Sequence, residues 1–314
     1  MVKIVNEDYA VVIGGTNIDI LGIPKEELVY HDSNIGNVKT SLGGVGRNIA
    51  ENLCRLGSDT QLVSIMGCDP YGDLVVEEAK KIGLKLHNSL ILKEIETSLY
   101  ISILDGDGDM EIALSSMDSI ENLNIDFIRT KKKLIEDAKV CIIDANIPVD
   151  TIEFVLKNFN KTDFFLDTVS TAKAERMKDL IGYFHTIKPN RIEAEKLTGM
   201  EINTDEDLRK AIEYFHAKGV KEVVITLSGD GVVYSDGDGI SRLKGESPKI
   251  VNATGAGDAF MAAISYGHMQ GFSIEEKVRF GIGASFLAMG HENTINPGMS
   301  VENINKKLEE TKIC

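Results

Sequence analysis

The run Asn252-Ala253-Thr254-Gly255-Ala256-Gly257-Asp258-Ala259-Phe260 has residue types and spacing suited to phosphoryl transfer to a hydroxyl. Small residues let the backbone come close to an anion, because no side chain intervenes. The free N–H groups of a helix N-terminus then point at the negative charge. Asp258 falls in the first turn of the apolar helix that follows, placed to take a proton from an attacking hydroxyl. A solvated Asp has a pKa of about 3.9, and a helix N-terminus lowers it further. Asp258 is therefore expected to be a poor base at rest, with positioning counting for more than basicity. Taken alone, the same run reads equally well as a glycine-rich turn capped by Asp.

Four other runs could carry chemistry. Gly43-Gly44-Val45-Gly46-Arg47-Asn48 opens a helix. It lacks the third glycine of the dinucleotide fingerprint, and the chain has no GxxxxGK[ST] loop. Its glycines admit a polar ligand, and the Asn48 amide can bond hydroxyls; the plain alternative is a helix start with Arg47 and Asn48 in water. Gly14-Gly15-Thr16-Asn17-Ile18-Asp19 follows the first strand, where open α/β sheets bind ligands. Asp19 suits a sugar diol, or it is a turn residue holding nearby N–H groups. In Lys188-Pro189-Asn190-Arg191-Ile192-Glu193, Asn190 either caps a helix or meets phosphate oxygens. Glu193 completes a capping box or reaches a Mg2+ shell through water. Ile225-Thr226-Leu227-Ser228-Gly229-Asp230-Gly231-Val232 is a strand, turn and strand that either meets nucleotide phosphates at Thr226 and Gly229 or is a simple hairpin. The six histidines form no HxH or HExxH spacing and are given no metal or base role.

The elements around these runs alternate. Strands are expected over Tyr9–Gly15, Thr60–Met66, Val140–Asp144, Phe164–Asp167 and Val220–Leu227. Helices are expected over Val45–Leu56, Tyr71–Ile82, Val149–Asn158, Arg191–Leu197, Asp205–Lys218, Gly255–Gln270, Ser273–Met289 and Val301–Leu308. That alternation predicts an α/β protein with a parallel sheet covered on both faces. Segments 22–42 and 97–117 break it. The second reads as a hairpin, Leu99–Leu104 and Met110–Leu114 about an Asp105-Gly106-Asp107-Gly108 turn. Both are expected to form a small β-layer standing off a core made of residues 1–21, 43–96 and 118–314.

The 314 residues are 43% hydrophobic and 26% charged, a globular composition that can bury a large core. A net charge of −15 argues against a nucleic-acid or anionic-membrane surface. No apolar run approaches the roughly 20 residues of a bilayer span. Met1–Asp8 lacks a signal-peptide pattern. Cys54, Cys68, Cys141 and Cys314 fit no zinc spacing, and a reducing cytoplasmic setting is expected.

Taken together and in this order, the Asn17–Asp19, Gly43–Asn48, Lys188–Glu193 and Thr254–Asp258 runs resemble the ribokinase-like (PfkB) carbohydrate kinase family over nearly the whole chain. The resemblance implies a three-layer α/β/α core with a β-sheet lid that often dimerises, giving a homodimer through the lid. It implies ATP and Mg2+ as cofactors and a small nucleoside or sugar as substrate. It makes Asp258 the catalytic base and Gly255, Ala256 and Gly257 the anion hole. Asn17, Asp19, Gly43, Gly44 and Asn48 match ribose contacts, with Asn146 a further sugar contact. Asn190, Thr226, Ser228, Gly229 and Gly231 fall on the ATP side, with Glu193 near Mg2+ through water. Within the family, Gly43–Leu53, Asp144–Pro148, Asp167–Lys173 and Thr294–Pro297 resemble members that phosphorylate the 5′-hydroxyl of pseudouridine. Ser98, Tyr100 and Met117 of the lid are then candidates for reading the base. Ribose, another sugar, an ordinary nucleoside, or a non-catalytic sensor role are the alternatives. Three residues depart from the family pattern. Ser228 replaces a usual Gly, Ala253 a commoner Ser or Thr, and Asn252 an Asp near a monovalent-cation site, which weakens the case for K+.

Overall fold

The computed structural model describes residues 8–246 and 249–313, so Cys314 and the start of the Met1–Asp8 run lie outside it. The chain runs β1 (Tyr9–Ile13), β2 (Asn17–Pro24), β3 (Gly36–Gly43), α1 (Val45–Arg55), β4 (Asp59–Val63), β5 (Ile65–Gly67), α2 (Pro70–Ile82), β6 (Leu90–Leu92), β7 (Leu99–Leu104) and β8 (Met110–Ser116). It continues through α3 (Ile125–Arg129), α4 (Lys132–Glu136), β9 (Val140–Asp144), α5 (Val149–Asn158), β10 (Asp163–Asp167), α6 (Thr171–Glu175), β11 (Thr186–Ile187), α7 (Arg191–Thr198) and α8 (Asp205–Lys218). It closes with β12 (Glu222–Thr226), β13 (Val232–Ser235), β14 (Ser241–Leu243), α9 (Ala256–Gln270), α10 (Ile274–Met289) and α11 (Val301–Glu310).

The main sheet has the order β14-β13-β12-β11-β10-β9-β1-β4. It is parallel from β12 to β4, and an antiparallel β13–β14 pair extends one edge. Its central strands are apolar on both faces, as a doubly covered parallel sheet requires. Val11, Ile13, Cys141, Ile143, Phe164 and Leu166 pack with α5, α7 and α8 residues on one side. Ala10, Val12, Val140, Ile142 and Phe165 pack with α1, α9 and α10 residues on the other.

The second sheet has the order β3-β2-β7-β8. β7 and β8 form the expected hairpin, and a parallel β2–β7 pairing joins the two irregular segments. β2 starts at Asn17, so Asn17 and Asp19 lie on a strand rather than in a turn after β1. The expected Thr60–Met66 strand divides at Ser64: β4 stays in the main sheet, while β5 pairs with β6.

Candidate active site

Every run singled out above ends at the carboxyl edge of the main sheet. β1 leads into Gly14-Gly15, β9 ends at Asp144, β10 at Asp167, β11 just before Lys188, and β12 at Thr226. Asp144 ties this edge together. Fully buried, it accepts hydrogen bonds from the Gly15 N–H (2.8 Å), the Gly46 N–H (2.7 Å) and the Asn146 N–H (2.9 Å). The loops that open β2, α1 and α5 are thereby held on one carboxylate. A Cβ on Gly14 would lie 2.3 Å from Asp144 Oδ2, which is why the backbone there carries no side chain.

Two cavities meet at this edge. One, of about 540 Å3, lies between the core and the second sheet. Asn17, Asp19, Gly44, Asn48, Ser98, Met117, Asn146, Gly255 and Asp258 line it. Gly43 lies beside that lining, where a Cβ would strike Asp19. Tyr100 lies outside it and donates its hydroxyl hydrogen to the Met110 sulfur. Lys173, at the end of the Asp167–Lys173 run, also lines the cavity, as do Glu121 and Arg176, which no motif marks in the sequence. The other cavity, of about 340 Å3, is lined by Thr226, Ser228, Gly229 and Gly231 opposite Ala256, Gly257, Phe260, Phe286 and Met289. Asn190 is outside this lining, and bridges to Thr226 from the start of α7. The short run from Gly255 to Asp258 is thus a shared wall: Gly255 and Asp258 face the first cavity, Ala256 and Gly257 the second.

That wall is the start of α9. Gly255 takes a left-handed conformation, φ 81°, and no side chain caps the helix, so the Gly255 and Gly257 N–H groups remain available to an anion, while the Ala256 N–H makes only a long bond, 3.4 Å, to the Ala253 carbonyl. A Cβ at Gly255 would stand 2.2 Å from the Thr294 carbonyl oxygen. Ser228 also adopts a left-handed conformation, φ 52°, so the loop keeps a glycine-like shape without the glycine.

Asp258 departs from the expectation of a depressed pKa. Burial and the negative charge of Asp167, with a further push from Asp144, raise it to about 7, against the pull of Asn48 and Lys188. Desolvation outweighs the helix dipole here. Asn48 Nδ2 donates to Asp258 Oδ2 at 2.7 Å, so Asn48 holds the candidate base itself. Arg47 and Asn48 are buried, not solvated; Arg47 pairs with Glu51 at 2.5 Å.

Lys188 opens the Lys188–Glu193 run, where spacing alone gives it no role. Its ammonium is buried, lies 3.3 Å from Asp167 and faces Gly257, whose Cβ would be 3.7 Å away. Burial works to lower its pKa, but the carboxylates of Asp167, Glu193 and Asp258 hold it above the usual range. The ion pair still leaves Asp167 Oδ2 without a hydrogen bond among the described residues. Glu193 makes the capping box with Asn190 and also accepts from the Thr168 hydroxyl at 2.6 Å. The Asp167 and Glu193 carboxylates, which both act on the Lys188 ammonium, are hard oxygen donors of the kind that fit Mg2+ with retained waters. A K+ site fits less well. Asn252 Nδ2 donates to the Glu292 carbonyl and Oδ1 accepts from the Thr254 N–H, each at 2.9 Å, so a neutral amide already bridges the two loops.

Comparison with known proteins gives these geometries a setting. Residues 7–301 match the sequence profile described as pfkB family carbohydrate kinase. Pseudouridine kinase of Escherichia coli (strain K12) is 37% identical over 98% of both chains. The crystal structure of a candidate sugar kinase from Clostridium perfringens aligns with a TM-score of 0.91 at 42% identity, covering 98% of each chain. The structure of Arabidopsis thaliana ribokinase complexed with ribose and ATP aligns at 0.81 and 24% identity, covering 96% of this chain and 99% of that one.

Proposed function

The chain belongs to the pfkB family of carbohydrate kinases, and from that premise we propose that it transfers the γ-phosphoryl group of ATP to the 5′-hydroxyl of pseudouridine. The observation that carries the reading is the shared wall. A hydroxyl-bearing acceptor in the larger cavity and a triphosphate in the smaller one would meet only at Gly255–Asp258. Asp258 takes the hydroxyl proton, and a pKa of about 7 suits a general base near neutral pH. The N–H groups of Gly255, Ala256 and Gly257 neutralise charge on the transferring oxygens, where one donor contributes roughly 3 kcal/mol. Lys188 adds a cation on the nucleotide side of the same wall. Mg2+, held through water by Asp167 and Glu193, would offset charge between the β- and γ-phosphates.

Asn17, Asp19 and Asn48 supply ribose contacts. The base falls towards Ser98, Met117, Glu121, Lys173 and Arg176. Lys173 and Arg176 donate to uracil carbonyls, and the Glu121 carboxylate accepts a ring N–H. Pseudouridine has one more ring N–H than uridine, which gives a carboxylate a reason to be there. A second copy is expected to cover the outer face of the lid, where Val38, Ile103 and Ile112 share a cross-strand row and stand exposed beside Leu114.

The test is a panel of nucleosides and sugars with ATP–Mg2+, reading ADP release. Pseudouridine should give the highest kcat/KM, and Glu121→Ala should narrow its lead over uridine. Turnover of ribose without turnover of pseudouridine overturns the substrate assignment. Asp258→Asn should fold normally and lose about 100-fold or more in kcat; near-wild-type turnover removes Asp258 from the base role.

A further inference from the structure

At the opposite, amino edge of the main sheet, Asp163 begins β10, His185 precedes β11 and His268 lies in the last turn of α9. One ligand atom from each comes within 4.8 Å of the others. His268 Nε2 is 3.0 Å from Asp163 Oδ2, and the two imidazole centroids are 5.0 Å apart with their planes at 65°. Phe165 stacks on His185 and meets His268 edge-on, giving the cluster a firm apolar floor.

We propose that Asp163, His185 and His268 form a binding site for a zinc-type divalent transition-metal ion, at the end of α9 remote from Asp258.

The hydrogen bonds around His185 fix the tautomer a ligand needs. The Thr186 hydroxyl donates its only hydrogen to Glu222 Oε2 at 3.1 Å. Its oxygen, 2.9 Å from His185 Nδ1, must therefore accept, which puts the ring proton on Nδ1. His185 Nε2 is left with a lone pair and, among the described residues, no hydrogen bond. A carboxylate reaching a ligand histidine through a hydrogen bond is the outer-shell pattern of metal sites, here with a threonine between. Glu222 is itself held by a buried Lys277. Two imidazoles and one carboxylate leave a fourth, water-filled position of a tetrahedron. The ion would take the place of the hydrogen between His268 Nε2 and Asp163, and the neutral imidazole would then carry its one ring proton on Nδ1. Nitrogen ligands favour Zn2+ or Co2+ over the Mg2+ that serves the phosphates.

The experiment is calorimetric titration of the chelator-treated full chain with ZnCl2 in excess Mg2+, alongside Co2+ absorption and melting curves. One ion should bind per chain, with tetrahedral-type Co2+ bands and a higher melting temperature. His268→Gln and the His185→Gln/His268→Gln pair should lose the bands and the melting shift, while His87→Gln keeps both. Thr186→Val tests the outer shell without removing a ligand and should weaken binding about 10–100-fold. Binding that survives the double substitution, binding abolished by Mg2+, or full affinity in Thr186→Val each overturns the site.

Discussion

Burial presses a proton onto Asp258, the carboxylates of Asp167 and Asp144 press the same way, and one amide and one ammonium pull it off. The sign of that balance sets the pH behaviour. With a pKa of about 7 in the free protein, Asp258 is protonated and idle as a base below that pH, so kcat/KM should climb through about pH 7 and then level. Asn48→Ala removes a bond to the ionised form and Lys188→Met removes a nearby cation; both should move that limb to higher pH, measured as the midpoint of the kcat/KM profile. The same shift works against the fold. A carboxyl with a raised folded-state pKa stabilises fully only below its unfolded value, about 3.9, and that gain is lost as pH rises through about 7. Asp258→Asn should therefore melt above the wild type, by a margin that grows from about pH 4 to about pH 7 and then stays flat. The type and place of Asp258 were legible in its glycine run. Its pKa was not, because the residues that set it arrive from β9 and β10, far away in sequence. Lys188 was hidden for the opposite reason: it sits in a run whose Asn190 and Glu193 already account for the local turn.

At the scale of elements, α9 is the decisive one, since its first turn is the wall and its last turn carries His268. Gly255 has to be glycine on two counts, a φ of 81° and a carbonyl 2.2 Å from any Cβ. Gly255→Ala should cost at least about 1 kcal/mol in denaturant unfolding, and kcat more than KM, because the helix start must shift. Asn252 joins that start to the loop after α10 with an amide hydrogen. An Asp at 252 has no proton to give the Glu292 carbonyl and would need a cation between them. Replacing K+ by a bulky organic cation should leave wild-type rates and melting unchanged, whereas Asn252→Asp should lose activity and melting temperature and regain both with K+. Helices elsewhere were readable from their spacing, as at Asp205–Lys218, whose expected and observed bounds coincide. The division of Thr60–Met66 was not, because Ser64 leaves the main sheet to meet a segment that shows no pattern of its own.

Across the whole molecule, the alternation of strands and helices predicted the doubly covered sheet, and β-branched runs such as Val223–Ile225 marked its buried strands. The β12–β13 hairpin was legible in Ile225–Val232, but β14 and the parallel β2–β7 pairing escaped, since β2 and β7 lie far apart in sequence and leave no joint local period. The exposed Val38–Ile103–Ile112 row gives a prediction at this scale: light scattering should find a dimer, and Ile112→Lys with Leu114→Lys should leave a monomer with an intact fold. A dimer unmoved by those charges would place the contact elsewhere. No helix among the described residues is long and apolar enough to cross a membrane. The shared wall has a consequence for how such a protein can be remade. Apart from Thr254, Gly255 and Asp258, the larger cavity draws its lining from residues 15–176; the smaller draws its own from residues 226–289. Chain order therefore separates the two halves almost as cleanly as space does. A crossover placed between Arg176 and Thr186 would splice the acceptor half of one kinase onto the nucleotide half of another, retaining the seam at Gly255–Asp258. New acceptors become reachable by recombination, without relearning how to hold a triphosphate.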